Sequence, residues 1–557
     1  LGAALNRLTQ PGANHLGTFL AAVADDLLDS ARGNSGAIMA QFFQGMSDSA
    51  ERLSEFSAHS FVRAVSLGSE YAHDALSNPK EGTILSVIAA FSEHLNRHLS
   101  DAPEAPLAPL IADATEAARL ALTNTEMQLE VLRKAGVVDA GARGFVVLAE
   151  GMADYLVDGK ETAQPDLADM IVRSSPTLTA GSESSPAFRF CTECIVNGED
   201  IDRRKLRERL SALGDSLVLA GTKRKAKIHI HVDDPDAVFT VARAFGKLSG
   251  IKADDMALQQ HSTHNTRTRF AVITDSAADI ADEDMEHLDI HMVPCRIQFG
   301  ERGYLDKVSI TTEEFFHELA VNSLPPTTSQ PSPGDFRRQY QYLATHFPDV
   351  ISINLTPRVS GTFQAAQSAA SRVAAAGRIH VVNSQNASLG QGQLAVFAAE
   401  CAASGMDIET TLAALAQLIP RTTSYALIRD LRYAVRGGRI PISRKRIADW
   451  LRLTPVVQTL PDGGLSTRGM LPGRRNLIPK FARYVARRCS PNVELHLAVG
   501  HANCERDAER LREALTTLLP NISRTRLTGI GSALGAHGGP GSLVVGVQEC
   551  IDPSSIS

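Results

Sequence analysis

Three short stretches of this chain carry groups suited to holding an anion. Ser360-Gly361-Thr362 stands between an apolar run at 350–355 and an Ala-rich run at 362–376. The first run reads as a short buried strand and the second as a helix. A strand that turns through glycine into a helix leaves backbone N–H groups and a hydroxyl facing one point, which suits a phosphate or a carboxylate. A second hydroxyl cluster is Thr327-Thr328-Ser329-Gln330-Pro331-Ser332. A third stretch is Ala536-His537-Gly538-Gly539-Pro540-Gly541. Each alone is equally compatible with an ordinary turn.

A different chemistry lies in the middle of the chain. Residues 227–233 alternate polar and apolar, so period two puts His229 and His231 on one strand face and Ile228, Ile230 and Val232 on the other. Residues 190–194 read as another strand. Cys191 and Cys194 are three apart and point to opposite faces, which disfavours a Cys-x-x-Cys redox or zinc-knuckle reading. Cys191 with His229 and His231 is the better trio, because a thiolate and two imidazoles suit Zn²⁺ with water or a carboxylate fourth. Glu193 shares the face of Cys191 and is a candidate fourth ligand or orienting group. The plainer alternative is a buried cysteine beside two hydrogen-bonded histidines.

Phosphate chemistry is the third theme. Three glycine-containing breaks interrupt an otherwise helical N-terminal pattern: Arg32-Gly33-Asn34-Ser35-Gly36, Pro79-Lys80-Glu81-Gly82-Thr83 and Val138-Asp139-Ala140-Gly141-Ala142-Arg143-Gly144. Each precedes an apolar helical run. Helix N-termini behind small residues approach phosphates closely and donate N–H groups to them. Ordinary helix caps in a bundle remain the alternative.

The elements that must position these groups follow from periodicity. Residues 1–159 read as helical, with apolar residues recurring at helical spacing, as at Leu20, Val23, Ala24, Leu27 and Leu28. Residues 101–109 read as a Pro/Ala-rich loop, and 160–187 as a linker. Residues 188–258 form a small α/β unit, and 252–269 hold a second, polar linker. From a strand at 270–274 onward, strands and helices alternate, which argues α/β with parallel strands. Arg436 and Arg439, followed by Arg444, Lys445 and Arg446, make a basic edge: solvated charge, or a dock for phosphate or for the helical domain.

The three anion-holding stretches resemble the DegV family of fatty-acid-binding proteins, which pair "TSQPS", "SGT(Y/F)Q" and "H-x-GPG" segments. The resemblance covers about 270–548 and includes 272–280 (VITDSAADI), the turn with Gly303 and Asp306, and 436–440 (RGGRI). It implies that Thr328, Ser360 and His537, with Ser329 and Gly361 beside them, hold a long-chain fatty-acid carboxylate. Asn383 departs from the family's usual Asp, and Ala536 from its frequent hydroxyl. The three N-terminal breaks resemble the DhaL-type domain of dihydroxyacetone kinases. More closely, they resemble the ATP-binding subunit of bacterial fatty acid kinase, whose segments "GARGNSG", "P-x-EGTIL" and "GVVDAG-x-x-G" recur here in order, the first with Ser30 at its leading glycine. That implies ATP at Arg32, Gly33, Asn34, Ser35, Gly36, Gly82, Thr83, Asp139 and Gly141, and a homodimer through the helical domain. The middle domain of that kinase pairs "CTE" with "H-V-H", which favours zinc at Cys191, His229 and His231. The family's Asp-rich "DGDTG" loop, which holds Mg²⁺, has no counterpart before Ala31. The chain is therefore expected to bind nucleotide weakly and to turn over little, and a sequence that starts inside a domain is the expected cause.

The joint expectation is a multidomain chain. An all-α DhaL-like bundle (1–159) precedes a small α/β middle domain (188–258) and a two-lobed α/β DegV-like domain (269–557). Its expected reaction is transfer of phosphate from ATP to a bound fatty acid, giving an acyl phosphate. The alternatives are a non-catalytic lipid binder or a dihydroxyacetone-type kinase. No catalytic residue is assigned. Bulk properties agree with a soluble, cytoplasmic protein: 557 residues, 43% hydrophobic and 21% charged, with seven scattered cysteines. A net charge of −6 argues against a general nucleic-acid binder. No apolar run reaches the length of a membrane span.

Overall fold

The computed structural model describes residues 15–30, 33–76, 79–159, 187–222, 224–264, 269–373, 376–436, 453–473 and 475–551. They form two compact units, residues 1–256 and 257–557.

The first unit opens with helices α1 (Leu16–Ser30), α2 (Gly33–Ser49), α3 (Ala58–Asp74), α4 (Ile84–Asp101), α5 (Leu107–Gln128), α6 (Glu130–Ala135) and α7 (Ala140–Asp158). Their apolar faces close on an aromatic centre, where Phe145 meets Phe42 and Phe91 edge to face at 5.4 and 5.5 Å. The expected 101–109 loop is shorter than its composition suggests. Pro109 falls inside the first turn of α5, where proline's missing N–H costs nothing.

Four antiparallel strands follow, β1 (Phe190–Asn197), β2 (Asp215–Gly221), β3 (Lys225–Val232) and β4 (Lys247–Asp255), in the order β2-β3-β1-β4. Helices α8 (Arg203–Ser211) and α9 (Pro235–Arg243) join them around a core containing Ile228, Ile230, Val232, Leu206 and Phe239. The bundle and this sheet share a hydrophobic cluster, with Val218 and Ala220 of β2 against Val23, Leu27 and Ala37. That shared core makes one unit of two different sequence patterns.

The expected polar linker at 252–269 is mostly structured. Strand β4 runs to Asp255, and α10 (Met256–His264) follows it. The expected linker at 160–187 lies almost wholly outside the described residues.

Among the described residues the second unit holds three sheets. The first is parallel, in the order β11 (Ile379–Asn383), β10 (Val350–Asn354), β5 (Ala271–Asp275) and β6 (Ile290–Val293). The second is small and antiparallel: β8 (Arg302–Leu305), β7 (Arg296–Phe299) and β9 (Thr327–Ser329). The third has six strands, β14 (Leu465–Pro472), β13 (Leu453–Thr459), β12 (Thr422–Leu427), β17 (Leu543–Glu549), β15 (Leu495–His501) and β16 (Ile522–Gly529). Only its β15–β16 pair is parallel. The expectation of parallel strands throughout is therefore corrected: it holds for one sheet of three. The helices are α11 (Asp282–His287), α12 (Thr312–Val321), α13 (Pro333–His346), α14 (Thr362–Ala370), α15 (Leu389–Ala403), α16 (Ile408–Leu418), α17 (Leu431–Arg436), α18 (Leu477–Ala486), α19 (Glu505–Leu518) and α20 (Ser532–Gly538).

Helix α15 packs against strands of both large sheets. Its buried positions, Leu389, Leu394, Ala395, Ala398, Ala399 and Ala402 among them, go all the way round the helix, as burial on both sides requires. Helix α14 stops at Ala370, six residues short of the expected end. The chain must turn there to bring β11 beside β10. Arg378 anchors that return with hydrogen bonds to the carbonyls of Ala344, Phe347 and Pro348.

Candidate functional site

The second unit contains a cavity of about 1000 Å³. Thr328, Ser329, Ser360, Gly361 and His537 all line it. They arrive on three separate supports. Thr328 and Ser329 are on β9, registered to β7 through the pair Ile297–Thr328. Ser360 and Gly361 end the loop between β10 and α14. His537 is in the last turn of α20. Thr328 Oγ1 and His537 Nε2 lie 3.0 Å apart in a hydrogen bond whose donor depends on the imidazole tautomer. Ser360 Oγ bonds Thr362 Oγ1 at 2.8 Å.

A network of buried carboxylates holds these supports. Asp275 Oδ2 accepts the Leu355 amide at 2.8 Å and so fixes the start of the loop that carries Ser360. Asp279 accepts the Gly531 amide at 2.9 Å, and Asp306 accepts the Ser532 amide at 2.9 Å. Those two amides open α20, the helix that carries His537. Asp306 also accepts from Ser276 at 2.7 Å, and Ser276 Oγ accepts the Cys295 amide ahead of β7. Lys307 Nζ bonds Asp279 at 3.1 Å. Burial drives the Asp275 carboxyl up to about 6, against the hydrogen bonds from Leu355, Ala277 and Gln391. Burial likewise raises Asp306, opposed by Lys307. Lys307 is pushed down by burial, yet Asp279 and Asp306 outweigh that and raise it.

Sequence reasoning quoted Asp306 and the segment with Asp275 and Asp279 without giving them this role. Their partners are far away in sequence, so no local spacing marks them. It also passed over Arg358 and Asp462, exposed lining residues of the cavity that form an ion pair at 2.9 Å. Four further hydroxyls of the wall donate to protein acceptors. Ser388 donates to Asp279 at 2.6 Å, Ser424 to the Ala387 carbonyl at 3.0 Å, Thr459 to Asn386 at 3.2 Å and Ser542 to the Gly538 carbonyl at 2.6 Å. With their protons committed, they leave a wall that makes little demand on a ligand beside Leu355, Ala426, Ile530, Ala533, Leu534 and Val544. Arg436 is exposed at the end of α17, which packs on α20; it is not among the cavity-lining residues. Arg439 lies outside the described residues, as do Arg444, Lys445 and Arg446.

In the first unit, the trio Cys191, His229 and His231 comes together, with all ligand atoms within 4.8 Å of one another. Strand pairing sets Cys191 opposite His231 and Glu193 opposite His229. Cys191 Sγ is 3.8 Å from His229 Nδ1, and Glu193 Oε1 is 3.1 Å from it. Asp215 is 3.4 Å from His231 Nδ1. Burial pushes Glu193 up, but the His229 hydrogen bond, Lys252 and Lys227 outweigh it and hold the carboxyl at about 2. Burial pushes His229 down, but Cys191 and Glu193 raise it to about 10. Cys194 is buried on the opposite face, as its spacing from Cys191 predicts.

The three glycine-containing breaks also converge in part. A side chain at Gly141 would run into Ser35, and Asp139 adjoins the same spot. The Asp139 amide donates to Thr125 near the end of α5, and Gly82 abuts Gln128 and Leu129 at that same end. Thr83 and Asp139 are the N-caps of α4 and α7, accepting the Leu85 and Ala142 amides at 3.4 and 2.7 Å. Asn34 is exposed near the start of α2, and Gly33 and Gly36 lie in that first turn. Arg32 lies outside the described residues. The carboxylates of the breaks are Glu81 and Asp139. Glu81 is engaged by Ser86 at 2.6 Å and Asp139 by Ala142. Each of these bonds uses one oxygen of its carboxylate.

Comparison with known proteins matches these parts to families. The DegV family model matches residues 269–549, the DAK2 domain 1–154, and the FakA-like middle domain of fatty acid kinase 187–263. DegV domain-containing protein TTE1491 of Caldanaerobacter subterraneus is 31% identical over 281 residues, covering 50% of this chain and 99% of that protein. Protein YloV of Bacillus subtilis is 32% identical over 266 residues, 46% of this chain and 47% of that protein, so the chain spans about half of that relative's length. Among solved structures, DegV, a fatty acid binding protein from Bacillus subtilis, is 28% identical, with a TM-score of 0.46 over 51% of this chain and all of that one. Among the described residues no helix is long and apolar enough to cross a membrane. The chain belongs to the DegV family, and it carries a DAK2 domain and a FakA-like middle domain ahead of its DegV part.

Proposed function

We propose that the second unit binds a long-chain fatty acid and that the whole protein transfers phosphate from ATP to its carboxylate. The observation that carries the binding half is the meeting of Thr328, Ser360 and His537 at one cavity of about 1000 Å³ with an apolar interior. A hydroxyl pair and an imidazole hold a carboxylate through charge-assisted hydrogen bonds without a full counter-charge. The commitment of Ser388, Ser424, Thr459 and Ser542 to protein acceptors favours a plain acyl chain over an oxygenated one.

The transfer half rests on the DAK2 and FakA-like family matches and on the partial convergence of Ser35, Asp139, Gly141, Gly82 and Thr83. In the step, a carboxylate oxygen attacks the γ-phosphorus, an O–P bond forms, and the bond to the β-phosphate oxygen breaks, giving acyl phosphate and ADP. Helix N-termini at these breaks supply amide donors to phosphates. No part of the step is assigned to Mg²⁺. Zinc suits the Cys191, His229 and His231 donor set as a structural ion.

The test is lipid extraction and mass spectrometry of the full chain, followed by incubation with ATP, Mg²⁺ and a long-chain fatty acid in hydroxylamine, which traps acyl phosphate as hydroxamate. Copurified lipid, reduced about tenfold or more in Ser360→Ala and further in a Ser360→Ala, Thr328→Ala double variant, is the expected result, since a hydrogen bond to a charged group is worth roughly 1.5–3 kcal/mol. Equal occupancy in that variant overturns the carboxylate site. Hydroxamate formed only with ATP supports the transfer half; lipid without hydroxamate overturns transfer by residues 1–557 themselves and leaves this chain a carrier.

A further inference from the structure

The six-stranded sheet carries a second cluster of metal-ligating side chains, away from the cavity. Strands β15 and β17 run antiparallel, with His496 opposite Gln548 and Leu495 opposite Glu549. The Cys550 amide donates to the Glu494 carbonyl at 2.8 Å, which extends the ladder by one pair. By the two-residue period, Glu494, His496 and Cys550 then share one face of the sheet. Their ligand atoms all lie within 4.8 Å of one another.

This repeats the strand arrangement in the first unit. There, His229 and His231 are two apart on one strand and Cys191 stands opposite the outer of them on its antiparallel neighbour. Here Glu494 and His496 are two apart, and Cys550 stands opposite the outer of them. Gln548, opposite His496 in the ladder, donates its amide N–H to Thr422 Oγ1 at 3.4 Å.

The charges fit a divalent ion. A Glu494 carboxylate and a Cys550 thiolate together cancel two positive charges. The nearby Arg524, paired with His496 in register on β16, is already matched by Glu400 at 2.5 Å. We propose that Glu494, His496 and Cys550 bind a zinc ion, with water in the fourth position. An oxygen, nitrogen and sulfur donor set selects zinc over Mg²⁺ or Ca²⁺. On binding, the Cys550 S–H proton leaves to solvent as the sulfur–metal bond forms. The ion would tie the start of β15 to the residue that follows β17. This site stands apart from the lipid reading and does not depend on it.

Cobalt(II) is the probe, because thiolate ligation gives it a charge-transfer absorption band. The full-length protein is freed of metal and titrated with Co²⁺ in a Cys191→Ser, His229→Ala background, which removes the other cysteine-containing site. One equivalent with a thiolate band is expected, lost in Cys550→Ser and displaced by Zn²⁺. Circular dichroism checks that each variant is folded. His496→Gln serves as a second ligand variant if Cys550→Ser does not fold. Absence of a thiolate band in that background, or a band that survives Cys550→Ser or His496→Gln, overturns the site.

Discussion

Gly539 shows how much one residue carries at the His537 turn. Its φ is +71°, and a Cβ there would run into the Tyr433 ring of α17. Gly539→Ala therefore combines backbone strain with a clash. It should cost clearly more in denaturant midpoint than Gly405→Ala, where φ is +79° but nothing lies within 4 Å and only the strain, about 1 kcal/mol, remains. Equal losses would mean that the ring yields freely. Asp335 makes a second single-residue case. It accepts from Ser332 in a capping box at the start of α13 and pairs with Arg296 and Arg338 at 2.8 and 3.1 Å. Asp335→Asn should destabilise the second unit by roughly 1–3 kcal/mol, measured by urea unfolding at pH 7. The hydroxyl and histidine segments could be read from sequence because each is a contiguous motif. Arg358 and Asp462 could not, since their ion pair joins a loop to a distant hairpin.

Elements decide where those residues end up. Helix α20 has only seven residues and no side-chain cap of its own. Its first amides are instead taken by Asp279 and Asp306. Asp306 does not line the cavity, yet Asp306→Asn should loosen the helix that carries His537 and lower lipid retention several-fold. Lipid occupancy of the purified variant, measured beside its melting temperature, checks this. Unchanged occupancy would detach the carboxylate network from the grip on the ligand. The strand at 350–354 was legible because its run is apolar and short. The end of α14 was not, because the alanines continue and only the return to β11, anchored by Arg378, stops the helix. Strand direction in the six-stranded sheet was also hidden. Alternating strands and helices fix neighbours along the chain but not which distant strands pair, such as β12 with β17.

For the molecule as a whole, two buried carboxylates give stability opposite dependences on pH. Burial first, countered by its hydrogen bonds, sets Asp275 at about 6, above the ordinary 3.8. Its contribution is full below about 3.8 and is lost as pH rises through about 6. Asp335 is pushed up by burial, but Arg296 and Arg338 outweigh that and hold it at about 2. Its contribution is present above about 3.8 and is lost as pH falls toward 2. Urea midpoints at constant ionic strength should show Asp275→Asn flattening the fall between pH 4 and 6, and Asp335→Asn flattening the acid limb. The two compact units should also melt separately. A fatty acid should raise one transition by mass action and leave the other in place. A single transition that shifts as a whole would show the units to be one cooperative body.

The ion pair at the cavity bears on time rather than on affinity. Arg358 and Asp462 are 61% and 52% exposed, so their attraction is weak and screened by salt. A contact of that kind adds little to the occupied state, and we expect a ligand that enters between these two lining side chains to part them on the way in and on the way out. Raising ionic strength should therefore quicken loading and release together while Kd changes little. Stopped-flow exchange of a fluorescent fatty acid would reveal this, and Asp462→Asn should make both rates insensitive to salt.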